Sequence, residues 1–189
     1  MGKTIVFWSP KSGHSGVTAC VCAVAAALTT GKEARLTAVA HTSLSKYELE
    51  ERLDCHMEER RGELYERMGL AALMLHLKKE ELKEEAIRHC GILLSGSTLE
   101  LFPGGGKSLF ALQEKEREEV LLALLLEKLP MAYDCLLVDL MPGSNQLSMD
   151  AIEKADITVI VLPQDPKVWK KFFSDVFWKL KAKNVFFLL

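Results

Sequence analysis

Short, continuously apolar blocks alternate along this chain with longer blocks in which apolar positions recur at helical spacing. Lys3 to Trp8, KTIVFW, has strand length, and the small-residue stretch SPKSGHSGVT follows it directly. Ser15 to Thr30 reads as a helix rich in Ala and Val. It is apolar almost all round, as a buried helix is, and Gly31 supplies its stop. Ala34 to His41 is a second apolar run of strand length. From Ser43 to about Arg67 the pattern turns heavily charged and predicts one or two solvent-facing helices. Amphipathic helical spacing then continues through GLAALMLHLKKEELKEEAIRHC, with Met68, Leu70, Leu73, Met74 and Leu77 as its core stripe.

In the second half, TLELFPGGG predicts a short strand that stops at Pro103-Gly104, and Glu114 to about Lys128 predicts a helix with an acidic first turn. CLLVDLMPG is an apolar strand ending in Asp139. Gln146 to Ala155 is a short helix, and ITVIVLPQ is another strand. Asp165-Pro166 has the form of a capping carboxylate with proline at the first helical position, opening a helix to about Lys183. NVFFLL is the last strand. Strands that alternate with helices and are apolar on both faces predict one α/β domain with a mostly parallel sheet. Ligands of such sheets bind at the carboxyl ends of the strands. The loops that matter are therefore those after Trp8, His41, Phe102, Leu140 and Pro163.

Composition changes this picture little. The chain has 189 residues, 49% hydrophobic and 26% charged, with net charge −2, so no basic surplus points to nucleic acid. The odd set Cys20, Cys22, Cys55, Cys90 and Cys135 suits buried thiols in a reducing compartment better than a disulfide framework. Their spacing lacks a CxxC partner, which speaks against zinc. His76 and His89 read as structural or exposed. The apolar run from Ala19 to Leu28 is too short to span a bilayer. A cytoplasmic protein is the expectation.

Strand, small-residue loop and helix is the layout of a phosphate loop, in which backbone N–H groups and the positive end of the helix meet the anion. Ser12, Gly13, Ser15 and Gly16 can provide the backbone part and Thr18 a hydroxyl for magnesium. The full pattern G-x-x-x-x-G-K-[ST] is not met: with Gly16 as its second glycine, the lysine position is Val17. PGGGKS, Pro103 to Ser108, contains a literal Gly-Lys-Ser but also fails the spacing, and reads as a loop near the site whose Lys107 can reach a phosphate or a partner. Asp139 at the tip of its strand can hold a magnesium shell or position a water. It can equally be an Asp that simply caps the turn.

Taken in order, these stretches resemble the ParA/MinD group of P-loop ATPases, the deviant Walker A class. The matching residues are Lys11-Ser12-Gly13, LELFPGG, Asp139-Leu140-Met141-Pro142-Gly143 and Ala151 through Val161. FWSPKSGHSG further resembles the TadZ/CpaE branch, whose members place Flp-type pilus machinery in bacteria. The resemblance implies a three-layer P-loop NTPase-like fold with helices on both faces of the sheet, spanning 1–189 as a single domain short of its C-terminal part. It implies that Ser12, Gly13, His14, Ser15, Gly16, Val17 and Thr18 cradle ATP or ADP, and that Thr18 and Asp139 serve magnesium. Lys11 would be the signature lysine that reaches the partner's nucleotide across a homodimer, and with Asp139 would carry any catalysis.

The departures are as informative. No register gives a loop lysine, since its position falls on Gly16 or, with one extra loop residue, on Val17. The family's aspartate after the second strand is also missing from AVAHTSLS, where His41 or Thr42 takes its place. Little or no hydrolysis is the expectation, with the chain acting as a positioning or assembly factor through protein partners, pilus components among them. Two alternatives stand beside it. One is a working ATPase in which Lys11 or Lys107 replaces the missing lysine. The other is a nucleotide-free interaction module working through its charged helices.

Overall fold

The computed structural model describes residues 2–13, 15–42, 48–55, 68–79, 82–104 and 115–188. His14, Lys107 and most of the charged stretch from 43 to 67 lie outside them. The strands are β1 (Lys3–Trp8), β2 (Thr37–His41), β3 (Ile92–Leu93), β4 (Leu99–Phe102), β5 (Cys135–Asp139), β6 (Ile157–Val161) and β7 (Val185–Leu188). They form one sheet in the order β3-β4-β2-β5-β1-β6-β7. Every pairing is parallel except β3 with β4. The expected mostly parallel sheet is therefore present, and the helices cover both of its faces.

Those helices are α1 (Val17–Thr29), α2 (Glu48–Arg52), α3 (Gly69–Lys78), α4 (Glu84–Cys90), α5 (Lys115–Lys128), α6 (Gln146–Lys154) and α7 (Pro166–Lys171). Val17, Val21 and Ala25 of α1 and Leu49 of α2 pack with Phe7, Val39 and Leu137 on one face. On the other, Leu73 of α3, Ile87 of α4, Leu125 of α5 and Ile152 of α6 pack with Val6, Ala40 and Val138. Alternation along each strand explains the division, because neighbouring residues point to opposite faces.

Three expectations need correction. The helical pattern after Met68 is two helices, α3 and α4, rather than one. The helix opened by Asp165 does not reach Lys183; past Lys171 it widens into a π turn at Phe172–Val176 and tightens into a 3-10 turn at Phe177–Lys179. The cause lies in the rings: Phe172 is buried against Trp8, Phe173, Phe177 and Phe187, and a widened turn inserts one extra residue while keeping that ring inward. The two-residue β3 carried no sequence signal long enough to read. Phe186 and Phe187 of β7 are exposed.

Candidate functional site

β1, β5 and β2 lie side by side and end together. Phe7 is level with Asp139, and Asp139 is level with His41. Since Phe7, Leu137 and Val39 pack on the α1 face, Asp139 and His41 point to that face as well. The loop from β1 delivers α1 to the same place. Its entry is fixed from behind: the Trp8 indole N–H donates to the Gly143 carbonyl at 3.0 Å, and the Gly143 N–H donates to the Ser9 carbonyl at 3.0 Å. Trp8 and Ser9 are fully buried. The Pro142-Gly143 turn after β5 is thus stitched to the start of the loop.

Gly13 and Gly16 have φ of 77° and 80°, a region that favours glycine. A Cβ on either would meet nothing within 4 Å, so the loop backbone borders open space. Gly16 is the N-cap of α1 and no side chain caps the helix; the Cys20 N–H donates to the Gly16 carbonyl at 3.0 Å. The N–H groups of the first turn are therefore left for an outside acceptor. Thr18 sits in that turn, with its hydroxyl beside the Asp139 carboxyl. Burial pushes the Asp139 carboxyl above its ordinary range; the Thr18 hydroxyl and the charges of His41 and Arg52 pull it back, against the neighbouring charge of Glu48.

Ser12, Gly13, Ser15 and Gly16 lie in the connection from β1 to α1, and Thr18 of the first turn of α1 lies beside Asp139. Lys11 points elsewhere. Its ammonium lies 3.9 Å from Asp165, both side chains well exposed, and Asp165 caps α7 by accepting from Lys167 N–H at 2.9 Å. Val17 is buried with the α1 core, so the position where the family pattern would have a lysine is occupied by a packing residue.

One site residue escaped the sequence, and Thr42, named there in place of the family's aspartate, has partners the sequence did not show. Glu50 of α2 is 1% exposed. Its Oε1 accepts from His41 Nε2 at 2.9 Å and from the Gly104 N–H at 2.9 Å, while Oε2 is buried with no partner among the described residues. Thr42 ties the next layer: its N–H donates to Asp139 O at 3.0 Å and its Oγ1 accepts from Met141 N–H at 2.8 Å. Nothing in KYELEERL distinguishes Glu50 from the acids around it, so periodicity could not have found it.

Cys90 and Cys135 are buried, and Cys20, Cys22 and Cys55 are half-buried. Burial raises the Cys20 and Cys22 thiols, and Asp139 adds to the rise at Cys20, which keeps them from reacting as thiolates. Among the described residues no group of three or more His, Cys, Asp and Glu side chains is placed to hold a metal ion. Among the described residues no helix is long and apolar enough to cross a membrane.

No family model matches the sequence, and a comparison with curated proteins gives no match. Solved structures do match. A ParA family ATPase from Chlorobium tepidum TLS superposes with a TM-score of 0.71 at 17% identity, over 100% of this chain and 74% of that one. The septum site-determining protein MinD from Pyrococcus horikoshii OT3, complexed with Mg-ADP, gives 0.71 at 17%, over 100% and 70%. The MinC:MinD cell division complex of Aquifex aeolicus gives 0.66 at 17%, over 98% and 67%. At these identities the likeness is one of fold: the chain has the ParA/MinD-type P-loop NTPase fold.

Proposed function

We propose that this chain is a nucleotide-holding positioning or assembly factor that binds ATP or ADP with magnesium and hydrolyses it little or not at all. The observation that carries the reading is an uncapped helix N-terminus behind a glycine loop, with Val17 packed at its lysine position and Thr18 of its first turn beside Asp139. The residues fit the group. First-turn and loop N–H groups would take the phosphates. Thr18 and Asp139 would hold a magnesium ion that takes its remaining ligands from phosphate and water. Magnesium supplies charge neutralisation on the phosphates when bound; with no lysine in the loop, binding has less counter-charge than such sites usually have.

Lys11 serves as the signature lysine toward the nucleotide of a second copy, and in the isolated chain it rests against Asp165. Partners are then proteins that read the nucleotide-bound dimer, pilus-assembly components being the class that the FWSPKSGHSG loop resembles; the MinD of Aquifex aeolicus, seen in complex with MinC, is a protein of this fold that binds another. Calorimetry with ATP and ADP in the presence of magnesium tests the reading. Heat that weakens in both Asp139→Ala and Thr18→Ala is the expected result. No heat at millimolar nucleotide from a folded chain would overturn it. Steady turnover that Lys11→Ala abolishes would favour a working ATPase instead.

A further inference from the structure

We propose that the outer side of the last helical run, together with β7, docks on an anionic lipid surface. The proposal stands apart from the nucleotide reading. The run starts at Pro166 and passes through the π turn Phe172–Val176 to Lys179. It packs on the face of the sheet opposite α1 through Trp169, Phe172, Val176 and Phe177. Residues 166–188 carry six lysines, Lys167, Lys170, Lys171, Lys179, Lys181 and Lys183, against one acid, Asp175. That is +5 in a chain of net charge −2, which leaves −7 for the rest. All six lysines are exposed. Lys181 meets Glu153 at 3.4 Å, and the Lys183 ammonium donates to the Lys154 carbonyl at 3.2 Å. Among the described residues no ion pair neutralises Lys167, Lys170, Lys171 or Lys179. The segment is thus a positive patch on a chain that is otherwise negative.

Among these charges the surface is aromatic. Trp178 is 80% exposed, Phe186 58%, Phe173 and Leu188 43% and Phe187 39%. With about 150–250 Å² to a whole aromatic side chain, on the order of 500 Å² of apolar surface faces water, a patch of the size that marks an interaction site. The rings are joined: Phe177 lies between Phe173, Trp178 and Phe187, with centroids 5.7, 5.2 and 5.8 Å away. Lys170, Lys171 and Lys179 flank Phe173 and Trp178 along the run. Exposed rings flanked by ammonium groups fit an anionic bilayer surface. The rings enter the headgroup layer, and the lysines stay with the lipid anions. Entry to that depth leaves the unpaired outer edge of β7 in water, where its backbone groups stay satisfied. Other occupants fit less well. A two-fold contact between copies would set the lysines against each other. Nucleic-acid bases stack on open ring faces, whereas these rings pack on one another, and residues 166–188 hold no arginine.

Vesicle co-sedimentation and tryptophan emission on the full chain test this. Vesicles of phosphatidylcholine with phosphatidylserine give the anionic surface, and phosphatidylcholine alone gives the neutral one. Trp8 is fully buried and the Trp169 N–H is held by the Pro163 carbonyl, so a blue shift on binding reports Trp178. The chain is expected to bind the anionic vesicles with that shift, and Trp178→Phe should still bind but lose it. Lys170→Gln, Lys171→Gln and Lys179→Gln should each lower partitioning about fivefold, and added salt should weaken it further. These side chains are exposed, so circular dichroism should not change, which separates lost binding from lost folding. No binding to anionic vesicles overturns the proposal, as does equal binding to both kinds or wild-type partitioning in all three lysine variants. A single-stranded oligonucleotide that gives the blue shift and binds more tightly than the vesicles assigns the patch to nucleic acid and overturns it. A dimer in lipid-free sedimentation that Trp178→Ser dissociates assigns it to a second copy and overturns it too.

Discussion

Glu100 and Glu50 are buried carboxylates that the fold treats in opposite ways. Glu100 uses both oxygens: Arg88 donates to Oε1 at 2.9 Å and the Tyr133 hydroxyl donates to Oε2 at 2.5 Å. The Arg88 guanidinium also lies 5.4 Å above the Tyr133 ring. Burial pushes the Tyr133 phenol well above its ordinary value, and the Glu100 charge adds to the rise while Arg88 opposes it. Tyr133→Phe strips Glu100 of one donor and leaves a buried anionic oxygen unpaired. Urea denaturation should show a loss of about 1–3 kcal/mol. In an alkaline titration followed by phenolate absorbance, Tyr133 should stay silent until the chain unfolds, and Tyr133→Phe should remove that late step. The signal for Glu100 stood in the sequence as one charge inside the apolar run LELF. None stood for Glu50, because a buried acid within a charged helix has the same periodicity as an exposed one. The strand, small residues and helix around the loop could be read because they are local; the Glu50–Gly104 contact joins residues 54 apart, and no local pattern encodes it.

Elements were legible where their ends carry chemistry. Asp165 with Pro166 and Asn145 before Gln146 mark the starts of α7 and α6, and both side chains accept the expected backbone N–H. The division between α3 and α4 was not legible, since KKEELKEE is good helix sequence throughout and tertiary packing overrides propensity there. What sets α3 is its first residue. Gly69 has φ of 79°, and a Cβ on it would lie 2.5 Å from the Pro103 carbonyl oxygen, which accepts the Leu70 N–H at 3.1 Å. Gly69→Ala therefore meets a positive φ and a backbone clash at once. Left-handed strain alone costs about 1–2 kcal/mol, and the clash forces α3 away from the end of β4. Thermal melts should show a clear drop in midpoint. Ala71→Gly, two residues on, should cost only the propensity difference of about 1 kcal/mol; equal losses at the two positions would mean that the contact with Pro103 does not fix the helix.

At the scale of the whole molecule the two ends of the sheet divide the tasks. The carboxyl ends carry open loop backbone, a carboxylate displaced from its ordinary range and an unpartnered buried oxygen. The amino ends are stapled. Asp134 accepts the Leu36 N–H at 3.0 Å, joining β5 to β2. Asp156 accepts the Thr4 N–H at 2.9 Å and the Lys3 ammonium at 2.9 Å, joining β6 to β1. The Thr4 hydrogen bond, followed by Lys3, holds the Asp156 carboxyl below its ordinary value of 3.8. A depressed folded-state value means that the unfolded chain binds the proton first as pH falls. The stabilisation from Asp156 is thus full above the unfolded value and disappears as pH drops through the folded one. With the pair partly open to solvent, its worth is about 0.5–1 kcal/mol. Asp156→Asn should accordingly be less stable than wild type from neutral pH down to about pH 5, and the gap should close as pH falls below 3.8. The same variant should leave both nucleotide affinities unchanged, because it loosens the end of the sheet opposite the loop. A gap that persists at low pH would show that the staple acts through shape rather than charge. A change in the ATP to ADP ratio would show instead that strain passes along β1 from one end of the sheet to the other.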